Sequence, residues 1–227
     1  MEMKKLFAIL LLSFSALAVS AQNEQSPIVE KEIAYKNWKL KSVSDGKDTE
    51  LRDLIKGKKL VIVVYYAPWC PNWKHDLEFL PKLYDKYKSA GLEIVGVAEY
   101  ENIDMTKDNA ATYKLAFPLV SESDSRAQRQ YTDHFKYRTA TGDNRKWGSP
   151  YYVFLEPSKV SKKGDELVKK THVINGEMIE TEGDKFIREK LGLLVEDSRS
   201  ATAKADSVEV CDPAKPAELK APETKKP

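Results

Sequence analysis

The chain has 227 residues, with 37 lysines and arginines against 35 aspartates and glutamates, so its formal net charge is only +2. A charge so close to balance gives no reason to expect nucleic acid or an anionic membrane as the partner. Its two cysteines, Cys70 and Cys211, allow one intramolecular disulfide at most, which excludes a disulfide-rich framework.

The first 21 residues have the layout of a secretory signal peptide. Two lysines precede an apolar run at residues 6–19, and small residues precede a predicted cleavage site before Gln22. The run is shorter than the roughly 20 residues of a membrane-spanning helix, which disfavours an uncleaved anchor. We therefore predict an exported protein, periplasmic or extracellular, with no stable membrane anchor after cleavage.

The rest of the chain alternates between predicted strands and helices. Strands are predicted at residues 38–43, 60–66, 92–98, 117–120 and 149–155. Helices are predicted at residues 50–55, 105–113, 125–137 and 184–191, and from Cys70 to Gly91 with a kink at Pro81. This alternation predicts an open α/β sheet, and Asn175-Gly176 predicts a hairpin that adds antiparallel strands. We expect a domain at residues 22–195 and a disordered low-complexity tail at residues 196–227.

Cys70 lies where a predicted buried strand passes into a helix. The run Trp69-Cys70-Pro71 follows the apolar strand, and a helical pattern begins directly after it. A helix start presents unpaired backbone N–H groups and the positive end of the helix dipole, both of which favour a thiolate. Cys70 is therefore the candidate nucleophile. The position that would carry the second cysteine of a dithiol motif holds Trp73.

The pairing of Trp69-Cys70-Pro71 with a distant Ser149-Pro150 resembles the thioredoxin-like superfamily. The similarity is greatest to exported TlpA/ResA-type thiol-disulfide oxidoreductases, which have a redoxin (AhpC/TSA-like) domain. The resemblance covers residues 38–194 and implies a thioredoxin-like fold, with a central mixed sheet flanked by helices and an N-terminal strand extension. It implies a cis-proline at Pro150, protein or small-molecule thiols and disulfides as partners, and no cofactor. The implied substrate-docking residues are Trp69, Pro71, Trp73, Ser149 and Pro150.

The chain departs from this family at two positions. Trp73 replaces the resolving cysteine, and Val64 stands where thioredoxins proper keep a buried carboxylate. Two roles for Trp73 remain open: contact with a docked substrate, or packing into the space that the absent thiol leaves. His75, His134 and His172 are dispersed along the sequence, so no metal site is predicted.

Three functions follow as alternatives. In the first, Cys70 exchanges disulfides, either alone or with Cys211 as a possible resolving thiol. Cys211 follows Val195 by 16 positions, a stretch that spans up to about 50 Å when extended. The second alternative is a non-catalytic interaction domain. The third and weakest is a thiol peroxidase that Cys211 resolves, because Val63 and Ala67 replace the proline and threonine of the peroxiredoxin signature.

Overall fold

The computed structural model describes residues 24–193. The predicted signal peptide, its cleavage site, the predicted tail and Cys211 lie outside the described residues. Within that range, no helix is both long and apolar enough to cross a bilayer.

The described residues form ten strands and six α-helices. The strands are β1 (Gln25–Ser26), β2 (Val29–Lys36), β3 (Lys39–Ser42), β4 (Asp48–Glu50), β5 (Leu60–Tyr66), β6 (Leu92–Ala98), β7 (Leu119–Ser121), β8 (Tyr151–Leu155), β9 (Glu166–Ile174) and β10 (Glu177–Met178). The helices are α1 (Leu51–Leu54), α2 (Pro71–Asp76), α3 (Leu80–Tyr87), α4 (Ile103–Thr112), α5 (Asp133–Ala140) and α6 (Glu180–Leu191). Short 3₁₀ helices occur at Lys88–Ala90, Arg126–Tyr131 and Pro157–Lys159.

Eight strands form one mixed sheet in the order β2-β9-β8-β5-β6-β7-β3-β4. Strands β5, β6 and β7 are parallel, whereas β8 is antiparallel to both β5 and β9. Strand β2 extends the sheet beyond β9, as the predicted N-terminal strand extension requires. The mixed α/β class is therefore confirmed.

The sheet separates two apolar clusters because side chains alternate along each strand. In β5, Ile62 and Val64 face one cluster, while Val61 and Val63 face the other. All seven residues of β5 are buried, which explains why the strand is continuously apolar rather than alternating.

The helix predicted between Cys70 and Gly91 is divided into α2, α3 and a 3₁₀ turn. Pro81 lies in the first turn of α3, so it helps to start a new helix instead of kinking a long one. Gly91 ends the segment with φ of 110°, the left-handed conformation expected of a helix-terminating glycine.

Two other sequence predictions are wrong in detail. The helix predicted at residues 125–137 is a 3₁₀ helix followed by α5, because Thr132 is extended and its hydroxyl caps α5 by accepting the N–H of Phe135. The hairpin predicted at Asn175-Gly176 does not form. Strand β10 instead pairs in parallel with β1, in a separate two-stranded sheet.

Candidate thiol site at the start of helix α2

Cys70 is the residue that caps the N-terminus of α2. Its backbone is extended, with φ of −70° and ψ of 127°, and Pro71 begins the helix behind it. The Cys70 N–H donates to Ala67 O at 2.9 Å, which closes the turn that leaves β5. The Cys70 side chain is 7% exposed. The strand-to-helix junction predicted from sequence is therefore present, but the thiol is buried.

The Ser149–Pro150 loop contacts the Cys70 thiol directly. Cys70 Sγ donates a hydrogen bond to Ser149 O at 3.3 Å, and Ser149 Oγ accepts the N–H of Ala67 at 2.9 Å. The Ser149–Pro150 peptide bond is cis. Residues 79 positions apart in sequence thus meet at one point through backbone and side-chain hydrogen bonds. Pro71 is exposed beside this contact.

Arg138 holds the loop that leads to Ser149, and sequence reasoning missed it. Its side chain is almost fully buried, and its guanidinium donates to the carbonyl oxygens of Asp143, Arg145 and Lys146 at 2.8–3.3 Å. A β-carbon on Gly148 would overlap the same side chain, which accounts for the glycine at φ of 60°. No local pattern distinguishes a buried loop-organising arginine from a solvated one.

His134 supports the same loop from the other side. Its ring lies between the Tyr100 hydroxyl, 2.8 Å from Nδ1, and Gly148 O, 3.0 Å from Nε2. Burial, reinforced by the positive charge of Arg138, lowers the pKa of His134 to about 3. The neutral ring therefore donates a hydrogen bond from Nε2 to Gly148 O, and its Nδ1 accepts a hydrogen bond from the Tyr100 hydroxyl.

Arg145 places a positive charge close to the thiol. It forms a two-point ion pair with Asp143, and it also donates to Pro150 O at 3.0 Å and to Ser149 O at 3.5 Å. Because Ser149 O is 3.3 Å from Cys70 Sγ, the sulfur and Arg145 Nη1 are less than about 7 Å apart. Two carboxylates pair with this guanidinium, that of Asp143 at 2.8 Å and that of Glu24 at 2.7 Å.

Trp69 and Trp147 form the exposed border of the site. Their rings make an edge-to-face contact with centroids 5.2 Å apart. Arg126 lies 4.4 Å from the Trp69 ring, and Arg129 and Lys146 lie 5.2 and 5.4 Å from the Trp147 ring. We refer to these five residues as the cationic indole rim. The side chains of Trp69 and Trp147 are both half-buried.

Trp73 is a core residue, so its predicted contact with a docked substrate is wrong. Its side chain is fully buried and stacks on Tyr66, with centroids 4.3 Å apart and planes inclined by 27°. Its indole N–H donates to Asn109 Oδ1 at 3.2 Å. The second role considered from sequence, packing into the space of the absent thiol, is the one that this geometry supports.

A buried carboxylate on α2 was also missed. Asp76 Oδ2 accepts the Tyr152 hydroxyl and the Met178 N–H, and Asp76 Oδ1 is 3.0 Å from His75 Nδ1. Burial raises the pKa of Asp76 to about 6, and the bond to Asp76 raises the pKa of His75. One signal was available in the sequence: Asp76 follows Trp73 by three positions and precedes Leu80 by four, on the apolar face of the helical pattern.

These features define a thioredoxin-like protein of the α/β class. The solution structure of a thiol:disulfide interchange protein from Bacteroides sp. matches with a TM-score of 0.50 and 14% identity, covering 76% of this chain and 93% of that one. A secreted thiol-disulfide isomerase from Corynebacterium glutamicum matches with a TM-score of 0.50 and 13% identity, covering 76% and 95%. At these identities, the matches establish the fold alone.

The sequence relationship is more specific. The AhpC/TSA family model matches residues 33–146, and the chain belongs to that family. Thiol-disulfide oxidoreductase ResA of a Bacillus cereus strain is 31% identical over 88 residues, which cover 39% of this chain and 50% of the relative. ResA of Bacillus subtilis (strain 168) is 32% identical over 88 residues, which cover 39% and 48%. The chain thus spans about half the length of the curated relatives it matches.

Proposed function

We propose that this protein carries out monothiol thiol–disulfide exchange through Cys70, with protein or small-molecule disulfides as partners. The observation that carries the proposal is the 3.3 Å contact between Cys70 Sγ and Ser149 O, which places the thiol against the cis-proline loop at a helix start. Similarity to thiol-disulfide oxidoreductases supports the same chemistry.

The exchange step balances without a cofactor. The Cys70 thiolate attacks one sulfur of the partner's disulfide, a new S–S bond forms, and the other partner sulfur leaves as a thiolate. Trp69 and Pro71 would contact the partner chain beside the sulfur, whereas Ser149 and Pro150 are buried and would become docking residues only if the loop opened. Because Cys70 is only 7% exposed, the partner disulfide must approach along this border.

A second thiol must resolve the mixed disulfide, and Trp73 cannot supply it. We propose two sources: an external thiol, or Cys211 of the same chain. Cys211 follows Val195 by 16 positions, and a stretch of that length reaches about 50 Å when extended. A Cys70–Cys211 linked peptide, found by mass spectrometry of the oxidised full chain, would identify the internal source.

We further propose that the chain is exported, cleaved before Gln22, and divided into a domain at residues 22–195 and a disordered tail at residues 196–227. The layout of residues 1–21 supports export. Amino-terminal sequencing of the protein from a periplasmic or extracellular fraction tests the cleavage. Recovery from the cytoplasm with Met1 intact would contradict it.

The main test measures the reactivity of Cys70 in the mature full chain. Alkylation followed by mass spectrometry should modify Cys70, and a model disulfide should convert it to a mixed disulfide. Cys70→Ser should abolish that adduct, while Cys211→Ser should retain it. Insulin reduction should be very slow, because no second thiol lies in the motif. A Cys70 that reacts with neither reagent would exclude the proposal.

The burial of Cys70 and the core position of Trp73 favour a second candidate, a non-catalytic interaction domain that keeps the docking loop. In that case Cys70→Ser would bind the same partners with unchanged affinity. The peroxidase alternative requires consumption of hydrogen peroxide that depends on both Cys70 and Cys211. Ala67 provides no hydroxyl to orient the peroxide, so we expect no such activity.

A further inference from the structure

The cationic indole rim concentrates positive charge beside the thiol although the chain as a whole is nearly neutral. Trp69 immediately precedes Cys70, and Trp147 lies two residues before Ser149, so the rim borders the thiol from both of the loops that meet there. The formal net charge of the chain is only +2. The rim is therefore a local feature and not the consequence of a basic protein.

Carboxylates of the described residues leave most of this charge uncompensated. Within 4.0 Å of the three rim cations, residues 24–193 provide one carboxylate, that of Glu101, which lies 3.9 Å from Arg126. The Arg126 side chain is nonetheless 57% exposed, and Lys146 is also exposed. Arg129 donates to Lys146 O, which ties the 3₁₀ helix to the Trp147 loop.

The ring contacts leave the cations able to bind anions. A guanidinium or ammonium over an indole face is attracted by the ring, while its N–H groups still point outward to acceptors. The rim cations come from two segments and lie over two different indoles. A ligand that engages them together must therefore carry several anionic groups in an extended arrangement, next to apolar groups that can pack on the rings; in a polypeptide the anionic groups are carboxylates.

We infer that the cationic indole rim docks a partner polypeptide whose reactive cysteine is flanked by acidic residues. The inference rests on the proposed exchange chemistry of Cys70 and specifies the class of its substrate. The acidic flanks would pair with Arg126, Arg129 and Lys146 while the partner's disulfide reaches Cys70 Sγ. Attack then forms the Cys70–partner bond and releases the partner's other sulfur as a thiolate.

The test uses three synthetic peptides of equal length, each with one cysteine activated as a 2-pyridyl disulfide. They differ only at three positions that flank the cysteine: all three are acidic in the first peptide, neutral in the second and lysine in the third. The release of 2-thiopyridone by the full-length Cys211→Ser protein gives the second-order rate constant. At low ionic strength we expect the acidic peptide to react about tenfold faster than the lysine peptide, and we expect salt to reduce the difference.

Two charge-neutralising variants test the location of the effect. Arg126→Gln with Lys146→Gln should remove most of the difference in rate between the acidic and the lysine peptide. The matched control is Lys162→Gln with Lys163→Gln, which removes the same charge from an exposed loop. That loop follows β8, which is antiparallel to β5, so the loop and Cys70 lie at opposite ends of these two strands. The control should keep the full preference.

The outcomes separate this inference from the proposed function. Equal rates for all three peptides, with normal reactivity towards 2,2′-dipyridyl disulfide, would overturn the rim assignment and leave the exchange chemistry intact. No reaction with any disulfide would overturn both. The chain has its own acidic stretch, with Asp206, Glu209 and Asp212 around Cys211. If neutralising those three residues accelerated the reaction of the acidic peptide, this acidic stretch of the chain itself would be the occupant of the rim, and the assignment of the rim to a partner would be wrong.

Discussion

Replacing Trp73 with cysteine restores the two-thiol spacing of the family but should destabilise the fold. The indole is fully buried, stacks on Tyr66 and donates to Asn109. Truncating a buried tryptophan typically costs about 3–5 kcal/mol, because apolar contacts are lost and a cavity remains. We therefore expect the free energy of unfolding of Trp73→Cys, with its thiols kept reduced, to fall by about that amount.

Urea denaturation followed by circular dichroism measures this loss. Trp73→Phe keeps a ring against Tyr66 but leaves Asn109 without its donor, so it should lose only about 1–3 kcal/mol. Trp147→Cys is the matched control at a partly exposed indole and should lose less than Trp73→Cys. If Trp73→Cys were as stable as the wild type, the assignment of Trp73 to the core would be refuted. If Trp73→Cys were stable and also reduced insulin rapidly, the site would accept a second thiol without rearrangement.

Three further substitutions test the groups around the site. Burial raises the pKa of Asp76 to about 6, so between about pH 4 and 6 the unfolded state releases the Asp76 proton before the folded state does. The free energy of unfolding of the wild type should therefore fall by up to about 3 kcal/mol relative to that of Asp76→Asn as the pH rises from about 4 to above 6. Urea unfolding at each pH measures this difference. Burial lowers the pKa of His134 to about 3, so the opposite trend applies: the wild type should lose stability as the pH falls from about 6.5, more steeply than His134→Gln. Gly148→Ala should slow alkylation of Cys70 and destabilise the fold by about 1–3 kcal/mol, because the added methyl would overlap Arg138 at a positive φ. Gly164→Ala, at φ of 73° with open space around it, is the control and should retain the alkylation rate.

The elements that sequence predicted best are those whose signal is entirely local. Strands β5 and β6 have the predicted bounds, because a continuous apolar run between polar turns is typical of a central strand that is buried on both faces. The junction at Cys70 was equally clear, because Pro71 marks the first turn of a helix. Local pattern therefore located the thiol and the strand that carries it.

The surroundings of the thiol depend on contacts that no local pattern encodes. Arg138 and His134 look like ordinary polar residues of a helix, yet both are buried and support the Ser149 loop. The hairpin prediction failed for a related reason: a β-carbon on Gly176 would overlap Glu24 O, so the N-terminal segment occupies the space beside that turn. Contacts between residues that are far apart in the sequence, such as these, can be identified only from the folded structure.

The core position of Trp73 has a consequence for the direction from which a mixed disulfide can be resolved. In a two-thiol motif, the second sulfur attacks from within the first turn of the helix. Here that turn presents a buried indole packed on Tyr66, so no thiol can enter from that side without opening the core. A resolving thiol must instead approach across the exposed border formed by Pro71 and the cationic indole rim. Under the proposed exchange chemistry, resolution should therefore depend on the charge and size of the incoming thiol, whether it belongs to another molecule or is Cys211 of the same chain.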